Sequence, residues 1–226
     1  IASFQKAAGT ALNKYRQYVQ SDKISWTVIA SPSEAWAEKV FPNLPKEKQV
    51  DALWDAIFKA TRSNLENPVE AWTKHNDTLH EKVHYLNAKK YAKLHYTAPG
   101  TDLTIELPKG HLWCGAGSVN EKGEEFMANM PTEEVFTVPH KDGVNGYVSS
   151  TKPLSYGGNI IDNFKITFEN GRITKVEAEQ GEEVLKNLVA TDEGSHGLGE
   201  VALVPHDSPI SNSGLLFYNT LFVEYA

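Results

Sequence analysis

Apolar residues recur every three to four positions through much of the first part of the chain. This spacing places apolar side chains on one face of a helix, and we expect that face to lie against a core. Ser31-Pro32 and Asn67-Pro68 add signals for a helix start. The helices predicted in this way cover residues 4–20, 31–40, 46–62 and 68–86. Residues 23–30 instead alternate apolar and polar side chains, which predicts a strand.

After Asn87 the pattern changes to alternation with a period of two, which is typical of strands with one buried face. Asn170-Gly171 separates two alternating runs, and this arrangement strongly indicates a β-hairpin. The predicted strands cover residues 101–107, 135–136, 164–168, 172–178 and 201–204, with a short helix at 181–190. The sequence therefore predicts an α+β fold. A helical front segment with one strand at residues 1–90 precedes a β-rich domain with short helices at residues 91–226.

The charge balance excludes some classes of partner. The 226 residues carry 22 Lys and Arg against 29 Asp and Glu, a net charge of −7, and no basic stripe is interleaved with aromatic residues. Such a chain repels phosphate backbones, so we expect no nucleic-acid partner. The apolar runs are too short to span a bilayer, so we expect no membrane partner either.

The chain has a single cysteine, Cys114, which cannot form an internal disulfide. This composition fits a cytoplasmic protein. A lone thiol is more often a small buried residue than a nucleophile, and we expect the buried role for Cys114.

One short motif carries chemistry of its own, because residues 80–84 have the pattern H-E-x-x-H. On a helix, His80 and His84 would share one face and could bind Zn²⁺ while Glu81 activates water, as in a zincin endopeptidase. The preceding residues 73–77 are strongly polar, however, and no Gly-x-x-His follows to supply a third ligand. A solvated helix face is therefore the favoured interpretation, and a zincin endopeptidase is the less favoured one.

Two further segments place carboxylates where they can meet a cation. Glu133 and Glu134 stand at the start of a predicted strand, where neighbouring side chains point to opposite faces, so only one of them can face a given site. The alternative is an exposed acidic pair. Glu200 lies between Gly199 and the apolar run 201–204, where we expect its carboxylate to be shielded from solvent and to need a partner or a cation. The alternative for Glu200 is a structural salt bridge.

Several segments of the chain resemble one protein family, and they occur in the family's order. They are residues 24–26, 35–37, 95–103, 129–137, 151–156, 199–205, 207–211 and 217–222. The family is that of the aminopeptidase T/aminopeptidase S dinuclear metallopeptidases. The resemblance implies an exopeptidase that removes N-terminal residues from peptide substrates. It also implies two divalent metal ions, zinc or cobalt, with magnesium or manganese as alternatives.

The same resemblance implies roles for three glutamates. Glu134 is the implied metal ligand of the Pro-Thr-Glu-Glu motif and is favoured over Glu133. Glu200 is implied to be a second metal ligand and the catalytic carboxylate, which aligns or deprotonates water in metal-assisted hydrolysis. The family further implies a cytoplasmic homodimer.

The resemblance has gaps at both ends of the chain. Past Phe222 the family continues with a histidine ligand, a site tyrosine and a His-x-Asp pair, whereas this chain reads Val223-Glu224-Tyr225-Ala226. The α/β segment that precedes this region in the family is missing as well. Each ion of a dinuclear site takes four or more ligands, so two carboxylates alone are expected to bind metal poorly. We therefore expect a fragment of an enzyme that is inactive alone, with an interaction scaffold as the alternative.

Overall fold

The computed structural model describes Ala8 and residues 10–223, with side chains as far as Phe222. Its helices are α1 Asn13–Gln20, α2 Glu34–Val40, α3 Lys46–Ala60, α4 Pro68–Lys89, α5 Glu182–Val189, α6 Pro209–Ser213 and α7 Thr220–Val223, with a 3₁₀ turn at Gly194–His196. Its strands are β1 Lys93–Ala98, β2 Thr101–Glu106, β3 Cys114–Gly115, β4 Ser118–Val119, β5 Glu125–Phe126, β6 Val135–Thr137, β7 Val144–Ser149, β8 Leu154–Tyr156, β9 Asn159–Glu169, β10 Arg172–Gln180 and β11 Val201–Leu203. Four of the described helices precede the described strands, and the predicted α+β class is confirmed.

The strands of the described residues form three antiparallel sheets. The largest has six strands, in the order β1-β2-β7-β9-β10 with β8 paired to β9. The second has three strands in the order β11-β6-β3, and β4 pairs with β5 in the third. The second sheet is small, but it joins the strands that follow the candidate glutamates.

The hairpin between β9 and β10 is confirmed. Asn170 and Gly171 both have positive φ, 49° and 80°, as a tight two-residue hairpin turn requires. A side chain at position 171 would also place its Cβ 1.7 Å from the carbonyl oxygen of Lys141. Glycine at this position therefore serves both the turn and a close approach of another part of the backbone.

The predicted helices have the right positions but shifted ends. Asn67 caps α4, because its side-chain oxygen accepts a hydrogen bond from the backbone N–H of Glu70 at 3.2 Å. The helix continues to Lys89, beyond the predicted residue 86. α2 begins later than predicted, since Ser33 rather than Ser31 is its cap. None of the described helices has the length and apolar character needed to cross a membrane.

The helix predicted over residues 4–20 lies partly outside the described residues, and its described part contains α1. The apolar face predicted for the helix at residues 46–62 is partly buried, since Leu53 and Ile57 of α3 lie in the core. Phe58 is instead exposed and stacks on Trp54, with ring centroids 5.1 Å apart. The apolar stripe of α3 is therefore wider than the face that the core covers.

The strand predicted over residues 23–30 is wrong. Within this described segment a single parallel bridge forms, between Val28 and Asn129. Trp26 explains part of the pattern, because its ring lies 6.1 Å from that of Phe126 and its Nε1 donates a hydrogen bond to Asp22 at 3.2 Å. The alternation therefore reflects side-chain packing rather than strand pairing.

The expected buried position of Cys114 is also wrong, because its side chain is exposed. It lies in β3, an edge strand of the second sheet, opposite Phe136. The next residue, Gly115, pairs with buried Val135. Because faces alternate along a strand, Cys114 lies on the face opposite Val135.

Two hydrophobic cores hold these elements together, and each takes residues from both sides of residue 90. The first gathers α4 and strands of the two larger sheets: Leu79, Leu86, Leu103, Ile105, Val135, Val144, Phe168 and Val201, with Leu107 after β2 and Trp113 before β3. The second joins α2 and α3 to later residues: Ala37, Leu53, Ala56, Ile57, Ala60, Ile210, Phe217 and Phe222. The division into units at residues 1–90 and 91–226 stays a prediction.

Candidate functional site

Glu133 and Glu134 lie directly before β6, and both are buried. Glu133 is 2% exposed and Glu134 is 8% exposed. The alternative of an exposed acidic pair is therefore wrong. Buried carboxylates need hydrogen-bond partners or a cation, because an isolated charge in the protein interior is very costly.

The register of the second sheet relates Glu134 to Glu200. The β6–β11 ladder has three residue pairs. Val135 pairs with Leu203 at one end, and Thr137 pairs with Val201 at the other. Glu134 stands one residue beyond one end of the ladder, and Glu200 stands one residue beyond the other. Paired positions share a face and faces alternate, so the pattern places both glutamates on one face, about four residues or 13 Å apart along the strand direction. The opposite face carries the buried side chains of the ladder.

Glu200 differs from Glu134 in its surroundings. It lies in the segment between the 3₁₀ turn and β11 and is exposed, so the expectation of a shielded carboxylate is wrong. Gly199 is exposed too, and a Cβ at this position would meet no atom within 4 Å apart from its chain neighbours. This glycine therefore does not mark the close approach of another backbone. Of the two glutamates, Glu200 is the one that water reaches directly.

Glu133 is held by an arginine that follows helix α3. Arg62 donates two hydrogen bonds to its carboxylate, from Nη1 to Oε1 at 2.5 Å and from Nη2 to Oε2 at 3.0 Å. Arg62 is 15% exposed, so this ion pair is largely enclosed. Bidentate contacts of this kind are strong and fix the orientation of both groups. Arg62 therefore compensates the charge of Glu133, whereas the ladder register places Glu134 on the Glu200 face.

His75, in α4, completes the surroundings of this ion pair. Its Nε2 lies 2.7 Å from the carbonyl oxygen of Thr132, and its Nδ1 lies 3.3 Å from Nη2 of Arg62. These contacts fit a neutral imidazole that donates from Nε2 and accepts at Nδ1. Burial lowers the pKa of His75, although the hydrogen bond to Thr132 and the charge of Glu133 oppose the shift. The imidazole of His75 is therefore neutral in the folded protein.

Arg62 has an unusual backbone for its residue type. It adopts φ 59° in the turn that closes α3, where its N–H donates to the carbonyl of Lys59 at 3.1 Å and the N–H of Ser63 donates to that of Phe58 at 2.8 Å. This is the hydrogen-bond pattern of a Schellman motif, whose left-handed residue is usually glycine. A side chain in this conformation costs about 1–2 kcal/mol. The guanidinium also lies 5.7 Å from the centre of the Trp72 ring.

The sequence alone does not reveal Arg62 and His75 as part of this site. Arg62 and Glu133 are 71 residues apart, and His75 and Thr132 are 57 residues apart. No local spacing links residues at such separations. The available signal is indirect: two adjacent glutamates before a buried strand require at least one compensating charge from elsewhere.

The H-E-x-x-H motif lies on α4, on a different part of the helix surface. Glu81 and His84 are exposed and His80 is half-buried, with the two imidazole centroids 6.4 Å apart. Among the residues that the structure describes, no three His, Cys, Asp or Glu side chains come together as a metal-binding group. The geometry therefore favours the solvated helix face over the zincin interpretation.

An apolar depression of about 420 Å³ lies beside the β6–β11 ladder. Helix α4 contributes Tyr85 and Leu86 to its lining, and the sheet contributes Val135 and Leu203. These last two residues form the pair at the end of the ladder next to Glu134, but faces alternate along a strand, so the depression lies on the face opposite Glu134 and Glu200. It is therefore separate from the surface that carries the two glutamates.

Comparison with known families assigns the chain to a metalloprotease family. The family described as "Thermophilic metalloprotease (M29)" matches residues 1–226. The chain belongs to the M29 family, and the resemblance stated from the sequence is confirmed.

Individual relatives give the same assignment. Aminopeptidase AmpS of Bacillus subtilis (strain 168) is 69% identical over 226 residues, which are 100% of this chain and 55% of that protein. Aminopeptidase T of Thermus thermophilus is 47% identical over 226 residues, again 55% of that protein. The solved structure of wild-type AmpT from Thermus thermophilus matches with a TM-score of 0.92 and 46% identity, over 98% of this chain and 54% of that one. The chain thus spans about half the length of the relatives it matches.

Proposed function

We propose that the protein carrying this chain is a metal-dependent aminopeptidase that hydrolyses N-terminal residues from peptides. Membership of the M29 metalloprotease family is the observation that carries this proposal. The names of the relatives support it, since the proteins at 69% and 47% identity are named aminopeptidases. The carboxylate oxygens of Glu134 and Glu200 are of the donor type that divalent ions take in proteins.

Glu134 and Glu200 take different parts in this proposal. Glu134 is buried, so it holds a divalent ion where bulk water has little access. Glu200 is exposed, so its carboxylate can accept a proton from the attacking water as a general base. When bound, the ions supply Lewis-acid polarisation of the scissile carbonyl. Glu134 and Glu200 would each contribute carboxylate oxygens to the bound ions.

The described residues supply only part of the ligands for such a centre. Each ion takes four or more ligands, whereas no group of three metal-binding side chains forms within the described part of the chain. A complete centre therefore needs ligands beyond Glu134 and Glu200. This observation favours a second proposal for the 226 residues taken alone, namely a folded fragment or interaction scaffold without peptidase activity.

The finer features belong to the same proposal. They are two zinc or cobalt ions, peptide substrates, a homodimer and a cytoplasmic location. The sequence resemblance supports them, and the single cysteine agrees with the cytoplasmic location.

The test replaces each glutamate by glutamine in the complete gene product that carries this sequence. Glu200→Gln is expected to lower kcat for leucine p-nitroanilide by about 10²–10⁴-fold, because a general base is lost. Glu134→Gln is expected to weaken zinc binding, measured by competition with a chromophoric chelator. Circular dichroism should show that both variants keep the fold.

Glu169→Gln is the matched control, because Glu169 is exposed at the end of β9. It should change neither kcat nor zinc affinity. Wild-type turnover by Glu200→Gln would remove its catalytic role, and unchanged zinc affinity in Glu134→Gln would remove its role as a ligand. His84→Ala separates the zincin interpretation, since we expect it to retain both zinc and activity.

A further inference from the structure

The segment that leads into Glu134 is held at two successive residues, at the backbone carbonyl of Thr132 and at the side chain of Glu133. Arg62 binds both carboxylate oxygens of Glu133, and His75 contacts the carbonyl oxygen of Thr132 at 2.7 Å. Arg62 follows α3 and His75 lies in α4, so the two contacts come from two successive parts of the helical region. The segment before β6 is therefore held to the helices and not only to its own sheet.

Fixing Glu133 also fixes the direction of Glu134. Successive side chains of an extended chain point to opposite faces, so the orientation of one residue sets that of the next. The side chain of Glu133 has little freedom, because it is 2% exposed and both of its oxygens are bound. Groups that hold a ligand-bearing segment in this way orient the ligand before the metal arrives.

The backbone of Arg62 gives an independent indication. This residue occupies the left-handed position of the turn that closes α3, with φ 59°. Glycine would close the helix there without steric strain. We therefore attribute the presence of arginine at this strained position to the contacts of its side chain. That side chain reaches Glu133, contacts His75 and lies over the ring of Trp72.

We propose that Arg62 and His75 are positioning residues that orient Glu134 toward the metal centre by holding Glu133 and Thr132, an inference that rests on the proposed function. Arg62 and His75 do not touch metal or substrate in this proposal. Outer groups of this kind typically change metal affinity by about 10–100-fold when they are lost.

The test uses the complete gene product and a pair of substitutions that avoids an unpaired buried charge. Arg62→Met combined with Glu133→Leu replaces both ion-pair partners by apolar side chains, a change that buried pairs often tolerate without loss of stability. The zinc dissociation constant is measured by chelator competition, and kcat and KM for leucine p-nitroanilide are measured at saturating zinc. The melting temperature of the metal-free protein reports the fold.

We expect the zinc dissociation constant of the double variant to rise by about 10–100-fold while the metal-free melting temperature stays close to the wild-type value. Arg62→Lys keeps the charge but loses the two-pronged contact, so its affinity should lie between those of the wild type and the double variant. At saturating zinc, kcat should fall more than KM changes, because the misplaced ligand affects the reaction step more than substrate capture.

Arg172→Met combined with Glu193→Leu is the matched control, since it removes an exposed Arg–Glu pair. It should leave zinc affinity unchanged. If Glu134→Gln weakens zinc binding but the Arg62/Glu133 variant does not, the positioning role is refuted and the proposed function stands. If Glu134→Gln itself has no effect on zinc binding, the ligand assignment fails and this inference fails with it.

Discussion

Two arginine–glutamate pairs in this molecule share their chemistry but differ in their surroundings. Arg62 and Glu133 are 15% and 2% exposed, whereas Arg172 and Glu193 are 49% and 84% exposed. The buried pair joins Arg62, in the turn after α3, to Glu133, the residue directly before Glu134 and 71 residues further along the chain. The exposed pair joins the start of β10 to the segment after α5, 21 residues along the chain.

The difference between the two pairs lies in what surrounds the charges. Two buried ions lose their hydration, and their attraction compensates for this only when the geometry is good and the remaining donors and acceptors are satisfied. The buried pair meets this condition, because Arg62 uses both terminal nitrogens on Glu133 and contacts His75 as well. Exposed ions stay hydrated and are screened by salt, so they fix geometry weakly. Only the buried pair is therefore suited to positioning a neighbouring group.

The largest expected effect comes from breaking the buried pair on one side. Arg62→Met leaves the carboxylate of Glu133 buried without its cation, so we expect the free energy of unfolding to fall by about 3–5 kcal/mol. Relief of the left-handed backbone does not offset this loss, because methionine is no better suited to that conformation than arginine. Urea denaturation of the metal-free protein measures the change.

Arg172→Met is the control for this experiment, and it should leave the denaturation midpoint close to that of the wild type. Equal destabilisation by the two substitutions would show that burial does not distinguish the pairs. It would also remove the energetic argument for the role of Arg62.

A smaller effect is expected from pH, through His75. Burial lowers the pKa of this imidazole, so His75 binds a proton more weakly in the folded protein than in the unfolded chain. The contribution of His75 to stability is therefore fully present above the ordinary pKa of about 6.5 and is lost as the pH falls below it. His75→Phe should be less stable than the wild type at about pH 8, and the difference should shrink toward about pH 5.

Urea denaturation over this pH range measures the effect. His84→Phe, on the exposed part of the same helix, is the control and should cost less at high pH because it removes no buried hydrogen bond. A stability difference between the wild type and His75→Phe that grows as the pH falls would contradict the neutral state assigned to His75.

Local signals were sufficient for much of the fold. Asn67-Pro68 fixed the start of α4, and Asn170-Gly171 fixed the turn between β9 and β10, because each acts within a few residues of chain. The strand prediction for residues 23–30 was wrong because a strand needs a neighbouring strand to pair with, and alternation of apolar and polar residues does not provide one. Within this described segment a single bridge forms. The burial predicted for Cys114 was wrong because it depends on which face of a small sheet lies toward the core.

The candidate site also contains some residues that the sequence pointed to and others that only the tertiary fold reveals. The preference for Glu134 over Glu133 came from a family resemblance and stays a prediction, and the structure adds that Arg62 holds the carboxylate of Glu133. The roles of Glu134 and Glu200 as metal ligands stay predictions. Arg62 and His75 were not predicted, since contacts over 71 and 57 residues depend on the tertiary fold and leave no periodic pattern in the sequence.

The smallest expected effect concerns the exposed pair itself. The hydrogen bond from Arg172, together with its charge, lowers the pKa of the Glu193 carboxyl. Arg172→Met should therefore raise this pKa toward its ordinary value, and added salt should raise it in the wild type by screening the same interaction. Carbon-13 NMR titration of the side-chain carboxyl measures both changes. Stabilisation by the pair is present above the ordinary pKa of glutamate and is lost as the pH falls through the lowered one. A Glu193 pKa that responds to neither change would mean that the exposed contact does not persist in solution, and the comparison would then be between one ion pair and none.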